Sequence, residues 1–309
     1  MPAFADEPSN WVHHTAWVEN NVKIHFVRCT PSNPNGHTLV LIHGYPSTWY
    51  SFRHVIQPLA DLGYDVIAAD YRGAGDSNKP MTGYDKMSMA RDIHTLYHDH
   101  LDIDRAIICG YDIGSMVATS LALQFRNSVE ALIVLEAPLP GTNRFDILTT
   151  SPEFTWSRVF HYYLHMQPDL PEMLTEGRER MYIKHFYDRL CYDPSFHTVK
   201  DLDIYATKFQ AAGAMRAGFE VYRAFLKDAE DLRANLKQHG KISVATLATG
   251  GEHSRFTPFI AEQACEFAND VTHSKIPHSN HWCPEENPTG FVDDVHSFLS
   301  KRGLGGVPN

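Results

Sequence analysis

Cysteine is scarce. Cys29, Cys109, Cys191, Cys265 and Cys283 are the five in 309 residues, an odd number with no CxxC pair and no spacing that suggests a disulfide framework. Reduced, mostly buried thiols are expected, and with them a cytoplasmic location. Long apolar runs are lacking too. The longest are broken by Asp112 and Glu136 and fall short of the ~18 residues that span a bilayer, so no membrane span is expected. Residues 1–10 carry Asp6 and Glu7 in place of the apolar stretch of a signal peptide. Positive charge is in deficit: 27 Lys and Arg stand against 37 Asp and Glu, for a net charge of −10. That balance repels a phosphate backbone and argues against nucleic acid as a partner. Internal repeats and low-complexity tracts are absent.

The chain is 43% hydrophobic with 5 Trp, 14 Tyr and 17 Phe, enough apolar mass to bury a full core. Nineteen histidines invite a metal reading, since His94/His98 and His161/His165 sit four residues apart, where two ligands can share a helical face. Neither pair lies in an HExxH motif and no cysteine cluster accompanies them, so no metal and no cofactor is expected.

Apolar, β-branched runs alternate with amphipathic stretches, the pattern of βαβ units and a mainly parallel sheet. A hairpin is expected over 15–18 and 22–29, turned at Asn20-Asn21. Strands are expected at 38–43, 65–70, 105–111, 129–136, 241–248 and 271–276. Helices are expected at 49–62, 87–101, 114–125, 258–268 and 288–300. From about 140 to 239 no strand-like run occurs, and this segment holds 16 of the 36 aromatics. An aromatic-rich helical insertion suits either a second core or a lid over an apolar pocket. The expected organisation is one α/β core, residues 1–139 and 240–309, interrupted by a helical cap at 140–239.

The sharpest motif is Gly110-Tyr111-Asp112-Ile113-Gly114, between a strand and a helix. Small residues two positions either side of a central side chain permit the strained turn that projects a nucleophile beyond the sheet edge. The helix N-terminus behind it favours an anion there, and here the central residue is Asp112. His43-Gly44-Tyr45-Pro46 follows an earlier strand, and Asp70-Tyr71-Arg72-Gly73-Ala74-Gly75-Asp76-Ser77 the next. His278-Ser279-Asn280-His281-Trp282 follows the last. An oxyanion hole in this architecture uses the backbone N–H after the nucleophile, Ile113, and one from the earlier loop, Tyr45. His281 stands after the nucleophile in the chain order of a hydrolytic triad.

These residues resemble the α/β-hydrolase superfamily, and the HGYP and Asp-elbow pair resembles its epoxide hydrolase branch. Glu136-Ala137-Pro138-Leu139-Pro140, Phe160-His161-Tyr162 and Phe219-Glu220-Val221-Tyr222-Arg223-Ala224 are similar to the Cif-like epoxide hydrolases. The resemblance implies an α/β-hydrolase fold with an inserted cap and a charge-relay acid at Glu136. It implies a ring-opening pair at His161 and Tyr222. Glu252, in Thr249-Gly250-Gly251-Glu252-His253, occupies the more usual superfamily position for the relay acid and is the alternative, with Glu136 favoured.

The expected reaction opens a small hydrophobic epoxide to a vicinal diol. Asp112, ionised near neutral pH without a base, attacks the ring carbon and forms an alkyl ester. Water activated by His281 then hydrolyses the ester. Relatives are often dimers, so a homodimer is the assembly the resemblance allows.

A dehalogenase shares the Asp nucleophile. The haloacetate type needs arginines just after it, where this chain has Ile113, Gly114, Ser115 and Met116. The haloalkane type usually places Trp directly after it. Ser115 stands three residues beyond the elbow and is disfavoured as an esterase nucleophile. A non-catalytic small-ligand-binding member of the fold is a third reading, disfavoured because Asp, His and an acid are all retained.

Overall fold

A computed structural model describes residues 7–157 and 159–306. Residues 1–6, which carry much of the N-terminal segment read above, lie outside it. The expected strands assemble into one eight-stranded sheet, β1 (Trp11–Val18), β2 (Val22–Cys29), β3 (Thr38–Ile42), β4 (Asp65–Asp70), β5 (Ala106–Tyr111), β6 (Val129–Leu135), β7 (Ala245–Thr249) and β8 (Val271–His273). The spatial order is β1-β2-β4-β3-β5-β6-β7-β8. The opening hairpin is antiparallel, β2 runs antiparallel to β4, and every pairing from β4 to β8 is parallel. All six residues of β5 are buried, as a strand covered on both faces requires. Sheet and flanking helices form an α/β architecture around a mainly parallel sheet, as expected. No helix among the described residues is long and apolar enough to cross a membrane.

Some bounds differ from expectation. The helix expected at 49–62 is a 3-10 turn, Trp49–Phe52, followed by a short helix, Ile56–Asp61. Thr48 Oγ1 accepts from the Tyr50 N–H, and Asp70 Oδ1 accepts from the Trp49 N–H at 2.8 Å, which ties the turn to the end of β4. Pro58 has no N–H and fits only a first helical turn, so one continuous helix is precluded. The helix expected at 87–101 is regular over Lys86–His94 and then widens into a π-helical stretch, Thr95–His100. The expected strand 241–248 splits, because Ile242 bridges Ala268 alone before β7 begins.

Between Asn143–Thr150 and Phe225–His239 the described residues are helical with no strand. These helices cover the loops at the C-terminal ends of the strands. The Tyr45 ring, after β3, meets Phe209 and Tyr222 edge-on at 5.5 Å each. The Tyr187 ring stacks on Trp282 at 4.0 Å. Three buried ion pairs, two of them sharing Arg53, pin the helices down. Lys86 Nζ reaches Asp228 Oδ2 at 2.7 Å. Arg53 reaches Glu285 at 2.6 Å and Asp201 at 3.1 Å, with Tyr205 and Tyr50 donating to the same two carboxylates.

Removing one partner of such a network strands the others in a medium that cannot solvate them. Arg53→Met is therefore expected to destabilise the protein by about 3–5 kcal/mol, read from the denaturant midpoint and slope. A loss below about 1 kcal/mol would place this network in effectively solvated surroundings.

Candidate active site

Asp112 occupies the turn between β5 and the helix Ile113–Gln124 with φ 53° and ψ −123°, a conformation costly for a residue with a side chain. The surrounding contacts hold it there. A Cβ on Gly110 would lie 2.1 Å from the Gly114 carbonyl oxygen, and one on Gly114 would lie 2.0 Å from that of Ile42. Only glycine permits this close approach of turn to strand. Ser115 Oγ accepts from the Leu135 N–H and lies 2.6 and 2.7 Å from the carbonyl oxygens of Gly110 and Leu135. It is a buried strut of the turn, its hydrogen-bonding capacity committed to backbone.

The strained turn points the Asp112 carboxylate into a cavity of about 200 Å³. Its Oδ1 accepts from the Tyr45 N–H at 2.8 Å, and the Ile113 N–H also hydrogen-bonds the carboxylate. Burial pushes its pKa above the ordinary aspartate value, opposed by the nearby His281 and these two N–H groups.

His281, in the loop before Cys283–Glu286, is 4% exposed. Its Nε2 stands 3.7 Å from Asp112 Oδ2 and its Nδ1 3.1 Å from Glu136 Oε2. A carboxylate only accepts, so the Nδ1–H donates and Nε2 faces Asp112 with a free lone pair in the neutral ring. Burial alone would lower the imidazole pKa. The Glu136 hydrogen bond and the charges of Asp112, Glu136 and Glu286 outweigh it, and the net shift is upward.

Glu136 follows β6 directly with φ 63° and is fully buried. Its carboxylate accepts from the Gly251 N–H at 2.8 Å and from Ser254 Oγ at 2.6 Å, besides His281. Several donors to one buried anion replace the water it has lost. Glu252 is exposed, its nearest basic partner the neighbouring His253 at 3.9 Å. The Gly250-Gly251-Glu252 loop thus presents backbone and Ser254 to Glu136, while its own acid faces outward. Neither Ser254 nor the Gly251 N–H was singled out in the sequence, because the contact joins segments more than a hundred residues apart.

His161 lies on the short helix Phe160–His165, lines the cavity, and has a buried Nδ1 with no hydrogen-bond partner among the described residues. Burial, with the positive charges of Arg189 and its neighbouring imidazoles, drives its pKa well below the ordinary value, so the ring is neutral. Tyr222 is 1% exposed on the helix Ala214–Arg223 and packs 5.7 Å from His161, 5.5 Å from Tyr162 and 5.5 Å from Tyr45. Burial and the Asp112 charge push its phenol well above the ordinary value. Tyr222 packs behind the residues that line the cavity, whereas Tyr162, not picked out by itself in the sequence, lines it, and the Tyr162 phenol also feels the Asp112 charge.

The other histidine pair has structural partners. His94 stacks on Phe125 at 3.7 Å and hydrogen-bonds Ser128, and His98 contacts Asp99. His94, His98 and Asp99 are spaced closely enough to bind a cation, as are His25, Asp70 and Asp76. Neither group includes a residue lining the Asp112 cavity. His165 hydrogen-bonds Tyr182 at 2.7 Å and does not join His161 in such a group.

The family model described as the alpha/beta hydrolase fold matches residues 37–288. A soluble epoxide hydrolase from Corynebacterium sp. (strain C12) is 32% identical over 291 residues, 93% of this chain and 97% of that protein. The crystal structure of Cfl2 from Burkholderia cenocepacia superposes with a TM-score of 0.88 at 31% identity, covering 96% of this chain and 99% of that one. The epoxide hydrolase CorEH gives a TM-score of 0.82 at 31% identity, covering 94% and 99%.

Since the Glu136 hydrogen bond is the largest influence raising the His281 imidazole, Glu136→Gln should move its titration to lower pH. Histidine NMR titration reads this directly. Glu252→Gln should leave it in place, and the reverse ordering would transfer the partner role to Glu252.

Proposed function

The chain belongs to the alpha/beta hydrolase fold family, and we propose that it is an epoxide hydrolase acting through an alkyl ester on Asp112. Residues 1–139 and 240–309 form its core domain and 140–239 its cap. The observation that carries this reading is the pairing, in one cavity, of a buried carboxylate held by two backbone N–H groups with an imidazole backed by a second buried carboxylate.

The first half-reaction is a displacement at an sp³ carbon. Asp112 Oδ1 is occupied by the Tyr45 N–H, so Oδ2 supplies the electron pair. A bond forms from Oδ2 to the ring carbon, the ring C–O bond breaks, and its electrons go to the ring oxygen. Tyr222 and His161 meet that oxygen. The phenol, kept protonated by its raised pKa, transfers a proton to the far more basic alkoxide, and the neutral imidazole donates a hydrogen bond. Both donors belong to the cap, which faces Asp112, and so oppose the nucleophile across the substrate.

The ester has a carbonyl where the carboxylate had none. Oδ1 becomes its oxygen and already sits on the Tyr45 N–H, with the Ile113 N–H beside the same carboxylate, so that donors are in place for the tetrahedral oxyanion. His281 Nε2 takes a proton from water, which attacks this carbonyl carbon, while Glu136 steadies the imidazolium through Nδ1. Esterification removes the Asp112 charge, one of the influences holding the imidazole pKa up. The base is thereby more readily neutral at the step that needs it. Collapse of the tetrahedral species expels the alkoxide, which takes the proton held by His281 and leaves as the diol, while the second proton of the attacking water, left on the Asp112 carboxyl, passes to the Tyr222 phenolate and restores both groups. No cofactor takes part, and the substrate is a small epoxide in keeping with an aromatic-walled cavity. A cytoplasmic location and a homodimer complete the reading.

Dehalogenase chemistry finds less support. Ile113 is buried and apolar beside Asp112, offering neither the carboxylate clamp nor the indole donor those reactions use. Styrene oxide, an aliphatic epoxide, fluoroacetate and a bromoalkane, assayed for diol and halide, distinguish the classes. Absence of any turnover would favour the ligand-binding reading.

The two half-reactions respond differently to substitution. His281→Gln should still alkylate and accumulate enzyme heavier by one epoxide, detectable by mass spectrometry. Tyr222→Phe should slow alkylation by about 10²-fold without trapping ester. Trapped ester in Tyr222→Phe, or none in His281→Gln incubated with a substrate the wild type consumes, would contradict the assignment.

A further inference from the structure

The ionisable side chains lining the Asp112 cavity divide unevenly. Among the described residues Asp112 is the one acid, while Arg189 and Arg255 add two permanent cations beyond the histidines. This cationic lining occurs in a chain whose net charge is −10. The two arginines come from different parts of the fold, Arg189 from the last residue of the helix Glu179–Arg189 and Arg255 from the loop after β7.

The backbone beside each is tethered to the reacting groups. The carbonyl of Leu190, next to Arg189, accepts from the His281 N–H at 3.0 Å. Ser254, next to Arg255, donates to Glu136 at 2.6 Å and accepts from the Phe256 N–H at 3.1 Å. Each guanidinium therefore springs from a backbone position one residue from a tether to the Asp–His–Glu set. Arg189 is half-buried, with its guanidinium over the Phe160 ring at 5.4 Å. Arg255 is exposed at the rim and makes no hydrogen bond, ion pair or ring contact with another described residue, so packing and hydrogen bonding within the fold do not account for it.

We infer that the cavity mouth selects epoxides bearing a carboxylate, which Arg189 and Arg255 bind while the ring reaches Asp112. This deepens the epoxide hydrolase reading and rests on it. The geometry sets the substrate's shape. Its carboxylate must stay at the mouth, away from the Asp112 anion, and a cavity of about 200 Å³ limits the linking group to about the size of one aromatic ring or a short aliphatic chain. Guanidinium pairs carboxylate through parallel N–H donors, a match that a neutral substrate cannot make. The same cations draw an anionic substrate towards a protein whose overall charge repels it.

The test compares 4-(oxiran-2-yl)benzoate with styrene oxide, which share the ring and the epoxide and differ in the carboxylate. Wild type should favour the benzoate by about tenfold in kcat/KM at low salt. Screening should erode the preference as ionic strength rises towards 1 M, where the Debye length is about 3 Å. The Arg189→Met, Arg255→Met double variant should bring the ratio close to one, each single variant lying between. The salt series on wild type gives the same answer should the double variant fail to fold. Turnover of styrene oxide with no preference for the benzoate overturns this inference and leaves the epoxide hydrolase reading standing. A preference that persists in the double variant assigns carboxylate binding elsewhere and also overturns it. Turnover of neither these nor an aliphatic epoxide overturns the reading itself.

Discussion

A buried anion at the floor of a cavity is the constraint on which this site depends. Asp112 must stay ionised to attack carbon, yet burial favours its neutral form. Two backbone N–H groups and an imidazole oppose that tendency. Each has its place in the fold: one N–H belongs to the loop after β3, one to the first residue of the helix behind the turn, and His281 is itself held by Glu136. Their alignment in advance means little reorganisation is needed when charge moves, which is how fixed dipoles in a dry site lower a barrier.

Holding that arrangement requires backbone conformations that side chains rarely adopt. Asp112 and Glu136 both have positive φ, and both directly follow buried parallel strands that are neighbours in the sheet. Such strain persists where the surroundings over-determine it. At Asp112 the surroundings are the Gly110 and Gly114 close approaches and the Ser115 strut. At Glu136 they are the donors from Gly251, Ser254 and His281. The helices above contribute an aromatic wall and are fastened to the sheet-edge loops by buried ion pairs, at Lys86–Asp228 and at Arg53 with Glu285 and Asp201. Core and helical segment therefore meet around the cavity through polar groups that break only at high cost.

Much of this was legible in the sequence because the deciding signals are local. A strand, a small–x–Asp–x–small turn and a helix occupy consecutive residues, and the parallel strands announce themselves as short β-branched runs. Resemblance and a place just past a buried strand favoured Glu136 over Glu252, but no local pattern decided between them. Both follow strands that pair side by side, β6 and β7, and only the three-dimensional path shows Glu136 turned inward and Glu252 exposed. The donors to Glu136 were hidden for the same reason. Tyr162 was overlooked because adjacent helical residues normally diverge, whereas the six-residue helix Phe160–His165 exposes both His161 and Tyr162 to the cavity. The broken helix at 49–62 shows tertiary hydrogen bonds, here to Asp70, overriding local periodicity.

The central claim, that the reaction passes through an ester on Asp112, is tested most directly by following oxygen. With enzyme in excess over an epoxide it consumes, in ¹⁸O-enriched water, hydrolysis of the ester delivers the water oxygen to the carboxylate. The diol keeps the ring oxygen and takes its second oxygen from Asp112. Mass spectrometry of the peptide containing Asp112 should then find one ¹⁸O, and the diol from that first turnover should carry none. Label in the diol with an unlabelled Asp112 peptide would mean that water opens the ring directly, and the account would be contradicted.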